Sequence, residues 1–238
     1  LGLAEKNLNK EKFMRVVSLV VVLIASSLAA IGAEPTFNQD LQVYQFVEEI
    51  ESPKNFEVPL VKPALQRADL NETAILFDQL VNLGKKVWAL VENNKPVVNV
   101  SYLYANALPK GVRSSEELEN FSELQHRTFR VSAQNLFGVT VYDLTYSLVH
   151  RYGGNFKGRG KYLENVAVIP TALDVVWGYN VAYKVEKVSV VNTGTSENPV
   201  ASVLLETNFK VSTAVKSSEE HSVYDFRGDS AKVNSVQR

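Results

Sequence analysis

Residues 139–152 read VTVYDLTYSLVHRY. Tyr142, Leu144, Tyr146, Leu148, His150 and Tyr152 fall on even positions, and Asp143, Thr145 and Ser147 on odd ones. Side chains of a strand alternate between its two faces, so this period of two predicts a long strand with a dry and a wet face. The same rhythm extends outward. Upstream, Val98, Val100, Tyr102 and Tyr104 alternate with Asn99 and Ser101, and 126–136 reads as a strand of mixed character. A polar, irregular stretch over 108–124 separates these two.

Downstream, 161–169 reads as a strand that Pro170 breaks, because proline cannot donate to a ladder. Residues 173–192 then place Leu173, Val175, Trp177, Tyr179, Val181, Tyr183 and Val185 on one parity, with Val188 and Val190 on the other. A shift of one residue near Glu186 and Lys187 predicts a β-bulge or a change of layer. After a turn over 192–199, Val203, Leu205, Phe209, Val211 and Val215 alternate with Ser202, Asn208, Lys210 and Ser212. A last strand is expected over 221–226 and a frayed tail from Gly228 onward.

One segment keeps a different period. Leu76, Leu80, Leu83, Val87 and Val91 recur at three- and four-residue steps, which predicts an amphipathic helix over 69–92 that Asn93, Asn94 and Pro96 terminate. Ahead of it, 41–50 and 56–61 suggest an entry hairpin. Strands of 13 to 19 residues would run about 45–60 Å at roughly 3.3 Å per residue, and a helix of that length covers only about half as much. The expectation is therefore a mainly β fold: long antiparallel strands in a curled sheet, a sandwich or half-open barrel, with one helix against it. Residues 34–238 are expected to form a single such domain.

Arg15 precedes an apolar run from Val16 to Ile24, followed by Ser26, Ser27, Ala29, Ala30, Gly32 and Ala33. Basic residue, greasy stretch and small-residue exit are the order of a secretory signal peptide, with cleavage expected after Ala33. Met14 stands directly before Arg15, so residues 1–13 are expected to be upstream sequence. An uncleaved anchor is the competing reading of the same stretch. The mature chain is then exported, periplasmic or extracellular, and not an integral membrane protein. An outer-membrane barrel shares export and alternating strands, but the amphipathic helix and the polar tail argue against it.

The 25 Lys and Arg nearly balance 26 Asp and Glu, which leaves no field to gather nucleic-acid phosphates. With zero cysteines there are no disulfides, thiolate metal sites or thiol nucleophiles. The three histidines lack metal-ligand spacing, no Gly-x-Ser-x-Gly elbow occurs, and Asp174, Glu206 and Asp225 fall among polar side chains on wet faces. No catalytic residue, metal or cofactor is assigned.

The most distinctive stretch is 152–162, YGGNFKGRGKY, where four glycines accompany Lys157, Arg159 and Lys161. It fails both the phosphate-loop and the dinucleotide pattern, and glycines between alternating strands serve a hairpin connection. Beside that reading stands an anion- or partner-binding site on the three cations. His150, Tyr146 and Tyr152 share one face and are candidate pocket residues, although rings on the parity of Leu144 and Leu148 belong first to a core. The leading expectation is an exported cell-envelope binding or structural protein without catalytic activity, whose partner is an envelope protein, glycan or lipid. The rivals are a hydrolase whose groups meet only in three dimensions, with His150 facing a carboxylate of a neighbouring strand, and a lipid or small-ligand carrier lined by Tyr142, Tyr146, Trp177, Tyr179 and Tyr183.

Overall fold

The structure is a computed structural model that describes residues 34–51, 81–82, 98–100 (backbone alone) and 104–237 (236–237 by backbone alone). The strands are β1 (Thr36–Asn38), β2 (Val43–Ile50), β3 (Val98–Val100), β4 (Tyr104–Ala107), β5 (Gln125–Asn135) and β6 (Thr140–Phe156). They continue with β7 (Arg159–Val175), β8 (Asn180–Asn192), β9 (Ala201–Ser212), β10 (Ser217–Arg227) and β11 (Asn234–Gln237). One sheet has the order β1-β2-β5-β6-β7-β4 and the other β11-β10-β9-β8-β3. All pairs are antiparallel except β3 with β8, and neither sheet closes into a barrel.

The even-numbered face of β6 is the heart of the molecule. Tyr142, Leu144, Tyr146 and Leu148 meet Val181, Tyr183 and Val185 of β8, Val203, Leu205 and Phe209 of β9, and Tyr224 and Phe226 of β10 in one core cluster. The two sheets therefore pack face to face as a sandwich, each hiding the apolar face that its period of two creates. The rings are packed among themselves: Tyr142 meets Phe209 edge-on at 5.2 Å between centroids, and Phe129 stacks on Tyr146 at 5.6 Å. Aromatic pairs in these arrangements add about 1 kcal/mol to the burial of their area.

The face of β6 expected to be wet is only partly so. Asp143 pairs with Arg130 at the surface, but Ser147 and Val149 are fully buried. Val149, Ala167 and Ile169 form a second apolar cluster with Leu124, and the half-buried Val81 packs against it. Ser147 satisfies its hydroxyl against Thr128 at 3.0 Å. Val81 and Asn82 are helical, and the rest of the helix expected over 69–92 lies outside the described residues, as do the strand expected at 56–61 and the whole leader.

Several strand boundaries differ from expectation. Pro170 does not break its strand, because β7 runs through it to Val175. The ladder with β6 slips there, pairing Tyr146 with Pro170 and Thr145 with Ala172. Proline is tolerated at such an irregularity of the ladder. Residues 173–192 are two strands, since a turn over 176–179 with Gly178 at φ +93° carries the chain from one sheet to the other. Trp177 sits on that turn and is 92% exposed, so it is not a core ring.

Val98 and Tyr104 likewise belong to different sheets rather than to one strand. The ladder between β8 and β9 slips between Lys187 and Ser189, where the parity change announced a bulge, but Val188 and Val190 beyond it are exposed. Val215 is also exposed, in the turn after β9. The tail is not frayed: Val233 is buried in the core, and β11 pairs with β10.

Candidate functional site

At one end of the sandwich, β6 turns into β7 through Lys157 and Gly158, whose φ angles are +52° and +75°. Two consecutive left-handed residues are the mark of a type I′ turn, which matches the twist of a hairpin. Asn155 Oδ1 accepts from the Gly158 amide at 3.1 Å and closes the turn. The hairpin reading of the glycine-rich stretch is thus what the backbone does. Gly153 and Gly154 lie inside β6, and the Phe121 ring covers Gly154 so closely that a Cβ there would meet it at 2.3 Å.

The β8–β9 connection leans against this hairpin. Lys161 donates its amide to the Pro199 carbonyl at 2.8 Å, and Gly160 donates to Asn198 Oδ1 at 2.9 Å. Asn192 Oδ1 accepts from Gly194 and Val200, each at 2.9 Å, and so holds the connection in shape. Between hairpin and connection lies an open groove of about 590 Å³. Phe156, Tyr162 and Pro199 form its apolar lining, Lys157 and Arg159 its positive side, and Ser196 and Glu197 the opposite wall. The Lys157 ammonium stands 5.1 Å from the centre of the Phe156 ring, within cation–π range. Burial raises the Tyr162 phenol above its ordinary pKa, which keeps it a neutral donor.

Of the three cations named from sequence, Lys157 and Arg159 share the groove. The exposed Lys161 is not part of its lining, although its backbone joins the two walls. Tyr146 and His150 are buried in the core, and Tyr152 is half-buried beside them. The Tyr146 hydroxyl bonds the Tyr224 hydroxyl at 2.9 Å, and the His150 ring packs edge-on against Phe226 at 5.3 Å. Desolvation lowers the His150 pKa to about 4 against a weaker upward pull from the Ser230 backbone, so the ring is neutral at physiological pH. His150 and Asp143 lie on opposite faces of β6, as their seven-residue separation requires.

Sequence reasoning missed Ser196, Glu197 and Pro199. They lie 38 to 42 residues beyond the Lys157–Gly158 turn, and no local pattern announces that the connection from β8 to β9 comes beside it. It also missed a histidine–carboxylate pair. The β9–β10 register brings His221 Nδ1 to 3.0 Å from Glu206 Oε1, with Asn208 and Glu219 at the other ring nitrogen. These groups lie on the open outer face of their sheet, and no hydroxyl side chain is among the partners of the ring. Among the described residues no group of three His, Asp or Glu side chains is placed to hold a metal ion.

The groove can stack a flat or ring-shaped ligand on Phe156 and Tyr162 while Lys157 and Arg159 pair with its negative groups. Comparison with family models, with curated proteins and with solved structures finds no match for this chain.

Proposed function

We propose that this is an exported cell-envelope binding protein that captures an acidic glycan in the groove between the β6–β7 hairpin and the β8–β9 connection, without catalysis. The observation that carries the reading is the convergence of two cations and two rings on one open groove. The cations suit carboxylate or phosphate, and the ring faces suit the apolar face of a sugar. Glu197 on the opposite wall accepts from sugar hydroxyls. Hydrogen bonds within and between the hairpin and the connection order both walls before a ligand arrives, which lowers the ordering cost of binding.

The test is calorimetric titration of the protein with an acidic polysaccharide, polygalacturonate, and with a neutral polysaccharide of similar length. Binding of the acidic polymer that weakens on the order of tenfold or more in the Lys157→Gln/Arg159→Gln variant supports the reading. Binding that the double variant leaves unchanged, or no preference for the acidic polymer, refutes it. The export step is tested separately by sequencing the N-terminus of the protein recovered from its native compartment. A chain beginning at Glu34 is expected, and one retaining residues 1–13 contradicts it.

A further inference from the structure

The opposite end of the sandwich has a different chemistry. The strand order brings four connections to it: 39–42 between β1 and β2, 136–139 between β5 and β6, 176–179 between β7 and β8, and 213–216 between β9 and β10. The register sets them side by side, since Val43 pairs with Asn135, Tyr142 with Val175, and Asn180 with Ser212. Three of the four each carry one large apolar side chain pointing away from the body: Phe137 at 90% exposure, Trp177 at 92% and Val215 at 87%. Leu136, Val139 and Val176 stand partly exposed at their bases.

Two of the turns are held in shape by their own side chains: Asn135 Oδ1 accepts from the amides of Phe137 and Val139, each at 3.0 Å, and Thr213 Oγ1 accepts from Lys216 at 3.1 Å. No ring of the core or of another turn stacks on Phe137 or Trp177 among the described residues, so the projections do not cover one another.

We propose that this end docks on a lipid bilayer, with Phe137, Trp177 and Val215 inserted into its interface. Three features favour a bilayer over a protein partner. The apolar groups are separate convex projections on turns of both sheets, a shape that a fluid interface accepts one side chain at a time. The four connections carry only one acid, Asp40, and one base, Lys216, so insertion buries little charge and does not depend on anionic lipid. Tryptophan and phenylalanine are the side chains that settle at the headgroup level. The proposal is independent of the groove, which lies at the far end.

The experiment follows tryptophan emission of the full chain on addition of phosphatidylcholine vesicles, with brominated lipid as quencher. A blue shift and quenching in the parent that are lost in Trp177→Phe assign the insertion to this turn, with Trp88 present in both. The Phe137→Ser/Val215→Ser variant, which keeps both tryptophans, is expected to partition on the order of tenfold more weakly. Lys157→Gln/Arg159→Gln is expected to partition as the parent does, and adding phosphatidylglycerol to change partition by less than about twofold.

A Trp177 signal that vesicles do not move overturns the proposal. So does a signal already blue-shifted without lipid, which would place another segment of the chain, or a second copy if it varies with protein concentration, over the turns. Binding that follows Lys157 and Arg159 instead would assign the membrane to the groove end.

Discussion

His150 enters the core with neither ring nitrogen in hydrogen-bonding geometry, and desolvation draws its pKa from 6.5 to about 4. Between those values the unfolded chain binds a proton that the folded chain does not, so stability falls as pH falls through this window and levels off below it. From pH 7 to pH 5 the loss attributable to this ring is roughly 2 kcal/mol. Urea unfolding at the two pH values is expected to show that loss in the parent and much less of it in His150→Leu. An equal loss in both would place the pH sensitivity elsewhere. The Tyr146–Tyr224 hydroxyl pair behaves differently, because each oxygen is the other's partner in a dry interior. Burial raises both phenols above their ordinary pKa. Tyr224→Phe alone leaves Tyr146 unsatisfied and is expected to cost about 1–3 kcal/mol. The double variant with Tyr146→Phe should cost less than the sum of the singles, and a double-mutant cycle measures the difference.

At the scale of elements, the end of the sandwich that holds the groove is tied together by backbone. Gly228, just past β10, accepts from the Gly153 amide at 2.9 Å and donates to the Ala201 carbonyl at 2.7 Å, joining the β6–β7 hairpin to the other sheet. A Cβ at Gly228 would lie 2.1 Å from the Lys161 carbonyl oxygen, and neither chain can yield without breaking these bonds. Gly228→Ala is expected to destabilise by roughly 2–3 kcal/mol. Gly158→Ala meets nothing within 4 Å and strains only its own backbone, at roughly 1 kcal/mol. Thermal unfolding of the two variants distinguishes steric from purely conformational cost. Beside the hairpin, Arg151 pairs with Glu164 at 2.6 Å, donates to the Ser122 carbonyl at 2.9 Å and lies over the Phe121 ring, pinning the irregular stretch before β5 onto the sheet.

For the molecule as a whole, the segregation of chemistry between its ends is the main consequence of the fold. One end gathers Lys157 and Arg159 around two rings, and the other presents apolar turns with almost no charge. A protein that docks by one end would hold the groove of the other away from the surface. Among the described residues no helix is long and apolar enough to cross a membrane. Because both sheets contribute to one core cluster, neither keeps its buried face if the other leaves. Far-ultraviolet dichroism, which follows the sheets, and near-ultraviolet dichroism, which follows the tyrosines, are expected to give coincident unfolding transitions. Separate midpoints would show that one sheet survives alone.

The alternation of Tyr142, Leu144, Tyr146 and Leu148 determined by itself that the chain builds antiparallel sheets, because a period of two leaves one face with no use except burial. Local signals also placed a hairpin connection within 152–162 and the slip near Lys187, since turn chemistry and a parity change are local events; that the turn falls at Lys157–Gly158 came from the structure. Trp177 shows where such reading stops. It shares the parity of Tyr183, but a turn intervenes, and parity carries meaning only within one unbroken strand. The same reason hid the passage of Pro170 through β7, which goes with a slip in the ladder with β6, and the burial of Ser147, which depends on what covers that face. The groove walls at Ser196, Glu197 and Pro199, the His221–Glu206 pair and the common end of Phe137, Trp177 and Val215 are contacts between residues distant in sequence. Only strand order and register decide them, because the free energy that selects a pairing comes from both partners and is written in neither alone.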